Sequence, residues 1–309
     1  MPPPVLTDEV LADLRSRFGP GLPDPQPFAA GAWSRAYAFA VDGRELVVRV
    51  GEHGDDYLKD AAAATRFASP RVPVPKVIAY GEAGGLFYAV SERMHGTTLD
   101  DLDAGQVTQL LPAFLGMLDE IWSADLAGTT GFGVWRPDGT APHAGWAQAL
   151  LEVGEDRPRF PGWRDALAAS AIGMGPFERG LRRLQESVAD LPDVRELAHA
   201  DLLNRNLLVS GDAVAGVLDW GSSLYGDSLY DAAWLIFCWP LYPQWKSVDI
   251  RAHIRDHLCV GGRPPAGFDE RIHTYEIHIA LGAVAHCAFR ESWDEVELFA
   301  RALARLTAQ

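Results

Sequence analysis

Asp201, Asn206 and Asp219 lie in one stretch, His199–Trp220, which reads HADLLNRNLLVSGDAVAGVLDW. Asn206 follows Asp201 by five positions, and Asp219 follows Asn206 by thirteen. Phosphoryl transfer needs these parts: an Asp that takes the proton of the attacking hydroxyl, and an Asn and a second Asp that hold magnesium on the nucleotide phosphates. Magnesium keeps several of its waters, so one amide oxygen and one carboxylate suffice from the protein. Two short apolar runs, Leu207-Leu208-Val209 and Val214 to Leu218, are joined at Ser210-Gly211-Asp212. They read as a β-hairpin that carries Asn206 and Asp219 to the same end.

The stretch resembles the H-x-D-x-x-x-x-N catalytic loop and following I-D-W metal motif of the aminoglycoside phosphotransferase family. The commonest form of that loop begins His-Gly-Asp, whereas this one begins His199-Ala200-Asp201. His-Ala-Asp, SRAYAFAVDGRELVVRV, FAS, TTGFG and GDSLYDAA together look most similar to the family's hygromycin B phosphotransferases. The similarity runs from about Ser34 to Pro240 and fades in the last sixty or so residues, where substrate choice is then expected. The resemblance implies an α+β, bilobal protein-kinase-like fold, with a small antiparallel β-sheet N-lobe and a mainly helical C-lobe. It also implies Mg2+, ATP or GTP as phosphoryl donor, a monomer, and phosphorylation of an aminoglycoside hydroxyl that confers resistance. Asp201 would be the catalytic base, and Asn206 and Asp219 the metal ligands. Same-class alternatives are kinases of a macrolide, choline, homoserine or an amino sugar. A non-catalytic nucleotide-binding protein on the same fold is the alternative of another class.

Composition narrows the field. A chain of 309 residues, 48% hydrophobic and 22% charged, is long enough for two cores and ordinary for a globular protein. A formal charge of −15 opposes nucleic acid and anionic membranes as partners and suits a small cationic substrate. No run has the apolar length of a membrane span, and MPPPVLTDEV lacks the pattern of a signal peptide, so a cytoplasmic location is expected. Cys238, Cys259 and Cys287 have no metal-ligand spacing and read as reduced, core-filling thiols.

The elements that must position the site follow in chain order. Thr7 caps a helix that carries Val10, Leu11, Leu14 and Phe18 on one face and stops at Gly19-Pro20. Tyr37, Phe39 and Val41 alternate into an Asp42-Gly43 turn and return as Leu46, Val48 and Val50, a hairpin signature. Gly31-Ala32-Trp33-Ser34 precedes it in the position of a nucleotide loop, with backbone amides and the Ser34 hydroxyl to cover the phosphates. Arg49 falls where the kinase template has its lysine, and Asp60, on a helix from Tyr57 to Phe67, where the template has the partner glutamate. A longer cation with a shorter acid nearly preserves the span.

Val72 to Val77 is extended because each proline biases its predecessor away from helix. Leu86 to Val90 reads as a strand, and backbone groups of Glu92, Arg93 and Met94 form a hinge for the adenine edge. The division is then 1–94 for nucleotide binding and 95–309 for the catalytic loop and substrate cleft. Val107 to Trp122 has helix period, with Pro112 predicting a kink or boundary. A second amphipathic helix spans Phe177 to Leu191. Beyond the hairpin, the resemblance implies that Asp227 braces the catalytic loop from beneath. Trp239, Tyr242 and Trp245 form an aromatic cluster that could wall a sugar ring. Two final helices, about Asp269 to Arg290 and Ser292 to Ala308, carry Glu276 and Glu291 as candidate partners of substrate ammonium groups, alongside Asp201 at the acceptor hydroxyl.

Overall fold

The computed structural model describes residues 3–156, 159–259 and 264–308. Their contacts divide the chain into two compact units. One holds the residues up to Ala124 with Arg136–Asp138 and Asp201–Ser223, and the other holds Asp125–Trp135, Gly139–Ala200 and the chain from Leu224 on. This grouping follows packing, whereas the division at residue 94 is one of role, and the two need not coincide.

The first unit begins with helix α1 (Asp8–Phe18), whose N-cap Thr7 accepts from the Val10 amide. Acidic Asp8 and Glu9 sit at its positive end, and Arg15 and Arg17 at its negative end, each favourable to the helix dipole. Strands β1 (Gln26–Ala30), β2 (Ser34–Val41), β3 (Arg44–Gly51), β4 (Val77–Ala83) and β5 (Leu86–Glu92) form one antiparallel sheet in the order β1-β2-β3-β5-β4. Asp42 and Gly43, at φ of 51° and 75°, make the left-handed turn that a two-residue hairpin requires. The alternation read from sequence is the buried face. Tyr37, Phe39, Leu46, Val48 and Val50 join Val10, Leu14, Leu22, Tyr88 and Val90 in one core between α1 and the sheet.

Helix α2 (Gly54–Arg66) begins three residues before the expected start. Strand β6 (Thr97–Thr98) and helix α3 (Ala104–Trp122) follow, α3 being fixed at its start by a capping box between Asp103 and Gln106. Pro112 does not interrupt α3; it lies on the exposed face, where a missing hydrogen bond is least costly.

The second unit contains β7 (Gly133–Val134), α4 (Trp146–Leu151), α5 (Trp163–Ala169), α6 (Gly175–Ser187) and β8 (Glu196–Ala198). The helix expected to reach Leu191 thus closes at Ser187 and continues as a single tighter turn, Val188–Asp190. Strands β9 (Leu207–Ser210) and β10 (Ala213–Val217) return the chain to the first unit as the expected hairpin, in the order β10-β9-β6. Strand β11 (Leu224–Gly226) then pairs with both β7 and β8 in the second unit. Helices α7 (Leu229–Cys238), α8 (Ile250–Leu258), α9 (Phe268–Phe289) and α10 (Trp293–Thr307) complete it. Helix α9 is buried along most of its length and is the packing centre of this unit. Cys238, Cys259 and Cys287 are not in disulfides. Among the described residues no helix is long and apolar enough to cross a membrane.

Candidate active site

The hairpin places its two polar residues through backbone register. Val217 pairs with Leu207, and one step beyond, the Leu218 amide donates to the Asn206 carbonyl at 2.8 Å. Asn206 and Asp219 therefore leave the same end of the β9-β10 ladder. The Asn206 side chain turns back to the loop, where its Nδ2 donates to the Asp201 carbonyl at 2.8 Å and to Asp201 Oδ2 at 3.1 Å. Asn204 Nδ2 donates to the other carboxylate oxygen, Asp201 Oδ1, at 2.7 Å. With Nδ2 so committed, the Asn206 amide oxygen points away from Asp201 and is the atom that could face a cation.

Burial pushes the Asp201 carboxyl well above the usual carboxylate range, with the Asp219 charge acting in the same sense against the two Asn hydrogen bonds. A carboxylate raised in this way is a stronger base near neutral pH than a solvated one.

The loop is held under backbone strain. Ala200, Asn204, Arg205 and Asp219 all have φ between 59° and 67°. That region costs a residue with a Cβ roughly 1–2 kcal/mol, less for Asn and Asp. Ala200 occupies the position where the commoner loop has glycine, so this chain accepts strain that glycine would avoid. Two acids hold the loop in place. Asp100 accepts the Arg205 amide with both oxygens at 3.1 Å. Asp231, buried in the first turn of α7, accepts the His199 amide at 3.0 Å and the Ala200 amide at 2.6 Å.

The brace expected of Asp227 is therefore provided by Asp231. Asp227 instead binds Arg271 through both oxygens, at 2.7 and 2.5 Å, and accepts from Tyr275, whose hydroxyl also receives Trp146 Nε1 at 3.0 Å. It ties α9 to the start of α7. Sequence reasoning missed Asp100 and Asp231, although a lone acid in the apolar helix Leu229–Cys238 is a detectable signal. Asp231→Ala leaves two buried amides without an acceptor, at about 1–3 kcal/mol each. Urea unfolding should give a loss of about 2–6 kcal/mol, and a loss below about 1 kcal/mol would reject the bracing role.

Arg49 and Asp60 form the expected pair, in direct contact. Burial opposes the charge of Arg49, but Asp60, and then Asp219 with Arg49 Nη1 4.0 Å from its Oδ1, hold the guanidinium pKa above its ordinary value. The guanidinium also lies over the Tyr57 ring, 5.1 Å from its centre. Burial raises the Asp60 carboxyl above its ordinary value, with the Arg49 guanidinium pulling the other way. Gly31–Trp33 form the β1-β2 connection, closed by the Gly31 amide on the Ser34 carbonyl at 2.9 Å. In the hinge stretch the Glu92 amide binds the Lys76 carbonyl at 3.0 Å and the Arg93 amide binds the Glu45 carbonyl at 3.1 Å. Met94 packs beside Gly216 of β10.

Of the substrate contacts suggested in the second unit, Glu276 lines a cavity and Trp239 and Glu291 do not line it. Trp239 is 5% exposed, donates from Nε1 to the Val248 carbonyl at 3.0 Å and packs on Trp245, which also stacks on Tyr242. Glu276 lines a cavity of about 540 Å³ with Arg183, Arg251, Asp269, Glu270 and His273. Burial raises its carboxyl, with Arg251 Nη1 at 3.9 Å pulling the other way. Glu291 is exposed at φ 55° in the α9-α10 turn and does not line that cavity.

The family profile described as the phosphotransferase enzyme family (APH) matches residues 24–268. Hygromycin-B 4-O-kinase of Escherichia coli is 31% identical over 277 residues, which cover 88% of this chain and 77% of that protein. The crystal structure of aminoglycoside phosphotransferase APH(4)-Ia matches with a TM-score of 0.85 and 25% identity over 97% of each chain. A thermostable mutant of that enzyme, in ternary complex with AMP-PNP and hygromycin B, matches at 0.82 and 26% identity over 96% of this chain and 97% of that one.

Proposed function

This chain belongs to the phosphotransferase enzyme family (APH), and from that premise we propose that it phosphorylates a hydroxyl of a hygromycin B-like aminoglycoside with ATP as donor. The observation that carries the reading is the half-buried Asp201 carboxylate, held by Asn204 and Asn206 beside the hairpin end that bears Asp219. Asp201 orients the acceptor hydroxyl and takes its proton. Arg49, held in place by Asp60, steadies the phosphates, and the Gly31–Ser34 connection covers them with backbone amides and the Ser34 hydroxyl. Because the Glu92 and Arg93 amides are already bonded within the sheet region, the Met94 amide is the hinge donor to the adenine edge, and backbone carbonyls of Glu92 to Met94 are its acceptors.

The donor set fits magnesium. The Asn206 amide oxygen is turned from Asp201, and the Asp219 side chain is 44% exposed, an oxygen pair suited to a hard cation that keeps its waters. When bound, the ion neutralises charge on the phosphates. The protein's own part is positioning, since a loose phosphoryl transition state demands alignment and charge stabilisation more than covalent help.

The acceptor class rests on the Escherichia coli relative and on the hygromycin B complex of the structural relative, with the charge of −15 favouring a polycation. Glu276 remains the candidate for a substrate ammonium group, and the boundary at residue 94 the proposed division of nucleotide from substrate duties. The burial of Trp239 supports a packing role for it instead.

The test is nucleoside diphosphate release with ATP and GTP against hygromycin B, other aminoglycosides, a macrolide, choline and homoserine. Hygromycin B should stimulate release and Asp201→Ala should abolish that stimulation. Stimulation by a different acceptor would overturn the substrate, and tight nucleotide binding without turnover would overturn the enzyme.

A further inference from the structure

Lys59 is 3% exposed, yet its ammonium donates to the Gly221 carbonyl at 2.8 Å and the Ser223 carbonyl at 2.9 Å, far along the chain. Its neighbour Asp60 accepts the Trp220 amide at 2.8 Å with the oxygen that does not meet Arg49. Residues 56, 59, 60, 63 and 67 recur at helical spacing, and they face the short turn that follows Asp219. Asp56 lies so near that a Cβ on Gly221 would stand 2.9 Å from its Oδ1, Ala63 is fully buried, and Phe67 stacks on Trp220 at 6.0 Å. The stripe meets three backbone groups of the turn with their complements: a carboxylate for the Trp220 N–H, and an ammonium for the Gly221 and Ser223 carbonyls.

We infer that Lys59 is a positioning residue for Asp219, locking the Trp220–Ser223 turn to α2 so that the carboxylate keeps its left-handed backbone pose. The inference rests on reading Asp219 as the metal ligand. Three observations argue against a space-filling lysine. A buried ammonium is unfavourable unless it is paired and hydrogen-bonded, and this one is bonded to the turn itself. Asp219 sits at φ 59° and ψ 72°, a left-handed pose that carries some cost even for Asp and that contacts on the following turn help to hold. The bonds made by Lys59 and Asp60 begin at the very next residue. Groups one step behind a metal ligand commonly change metal affinity 10–100-fold when removed.

The experiment titrates Mg2+ calorimetrically into the ADP complexes of wild type, Lys59→Met and Asp219→Ala, and follows hydrogen exchange of residues 219–223 in the metal-free proteins. Lys59→Met should weaken Mg2+ binding about tenfold and speed exchange locally in the turn, with the sheet core unchanged. Should that variant not fold, Lys59→Arg carries the same test, because it keeps the cation and moves its donors; a threefold or greater weakening is expected, on the order of the smaller effects of this kind. Wild-type Mg2+ affinity in the folded Lys59 variant, or exchange raised evenly across the protein, overturns the inference. If Asp219→Ala itself keeps wild-type Mg2+ affinity, the metal-ligand reading has failed first. If Asp219→Ala loses affinity and the Lys59 variant does not, only the role of Lys59 is lost.

Discussion

Asp201→Ala should lower kcat by about two to four decades, the range for losing a positioned general base, while nucleotide affinity stays within a few-fold of wild type. The split follows from what the side chain touches. Its two oxygens are held by Asn204 and Asn206, and no residue of the sheet that carries Arg49 bonds to it. Removing it takes away the acceptor for the hydroxyl proton and the group that aligns the hydroxyl. It leaves the Arg49–Asp60 pair untouched. Asp201→Asn separates the two contributions, since the amide keeps the shape and can still accept a hydrogen bond from the hydroxyl but cannot take its proton. Single-turnover rates with hygromycin B measure both. Unchanged turnover in either variant removes Asp201 from the role of base.

Asp219→Ala should produce the second large effect, of a different kind. Nucleotide binding should lose its dependence on Mg2+, and kcat should fall by about three decades, comparable to removing one strong electrostatic contribution to the transition state. The variant also removes a negative charge that faces the Arg49 guanidinium and raises Asp201, so its effects are not additive with changes at those residues. Nucleotide titrations with and without Mg2+, together with an Arg49→Met/Asp219→Ala double-mutant cycle, give the measurement. Independent, additive losses would contradict the shared electrostatics.

Much of this was legible in the residues. The spacing of Asp201, Asn206 and Asp219 about a Ser210-Gly211-Asp212 turn required a hairpin, because two apolar runs of that length can bury only by pairing. The Arg49–Asp60 pair was readable only through the resemblance, which aligns Arg49 with the kinase template's lysine and Asp60 with its partner glutamate; both elements carry other charges that could have paired. Asp227 was assigned the brace by motif position, and the true brace, Asp231, is one helical turn later. Only the direction in which α7 presents its first turn decides which of the two reaches the His199 and Ala200 amides. The aromatic cluster was equally open, since Trp239, Tyr242 and Trp245 can line a cleft or stack on one another, and packing chose stacking.

The chemistry and its local frame follow from residue types and their spacing. Residue types at short spacing specify a hairpin, its turn and the three polar groups at one end, since these depend on local propensity and strand register. Tertiary structure alone decided which groups hold that frame still. The stripe Asp56-Lys59-Asp60 carries no pattern that names its target, and the Gly221 and Ser223 carbonyls exist at every residue of any chain. Backbone donors and acceptors have no signature in sequence. Their partners are settled when burial forces each to be satisfied, and that requirement acts only on the folded molecule.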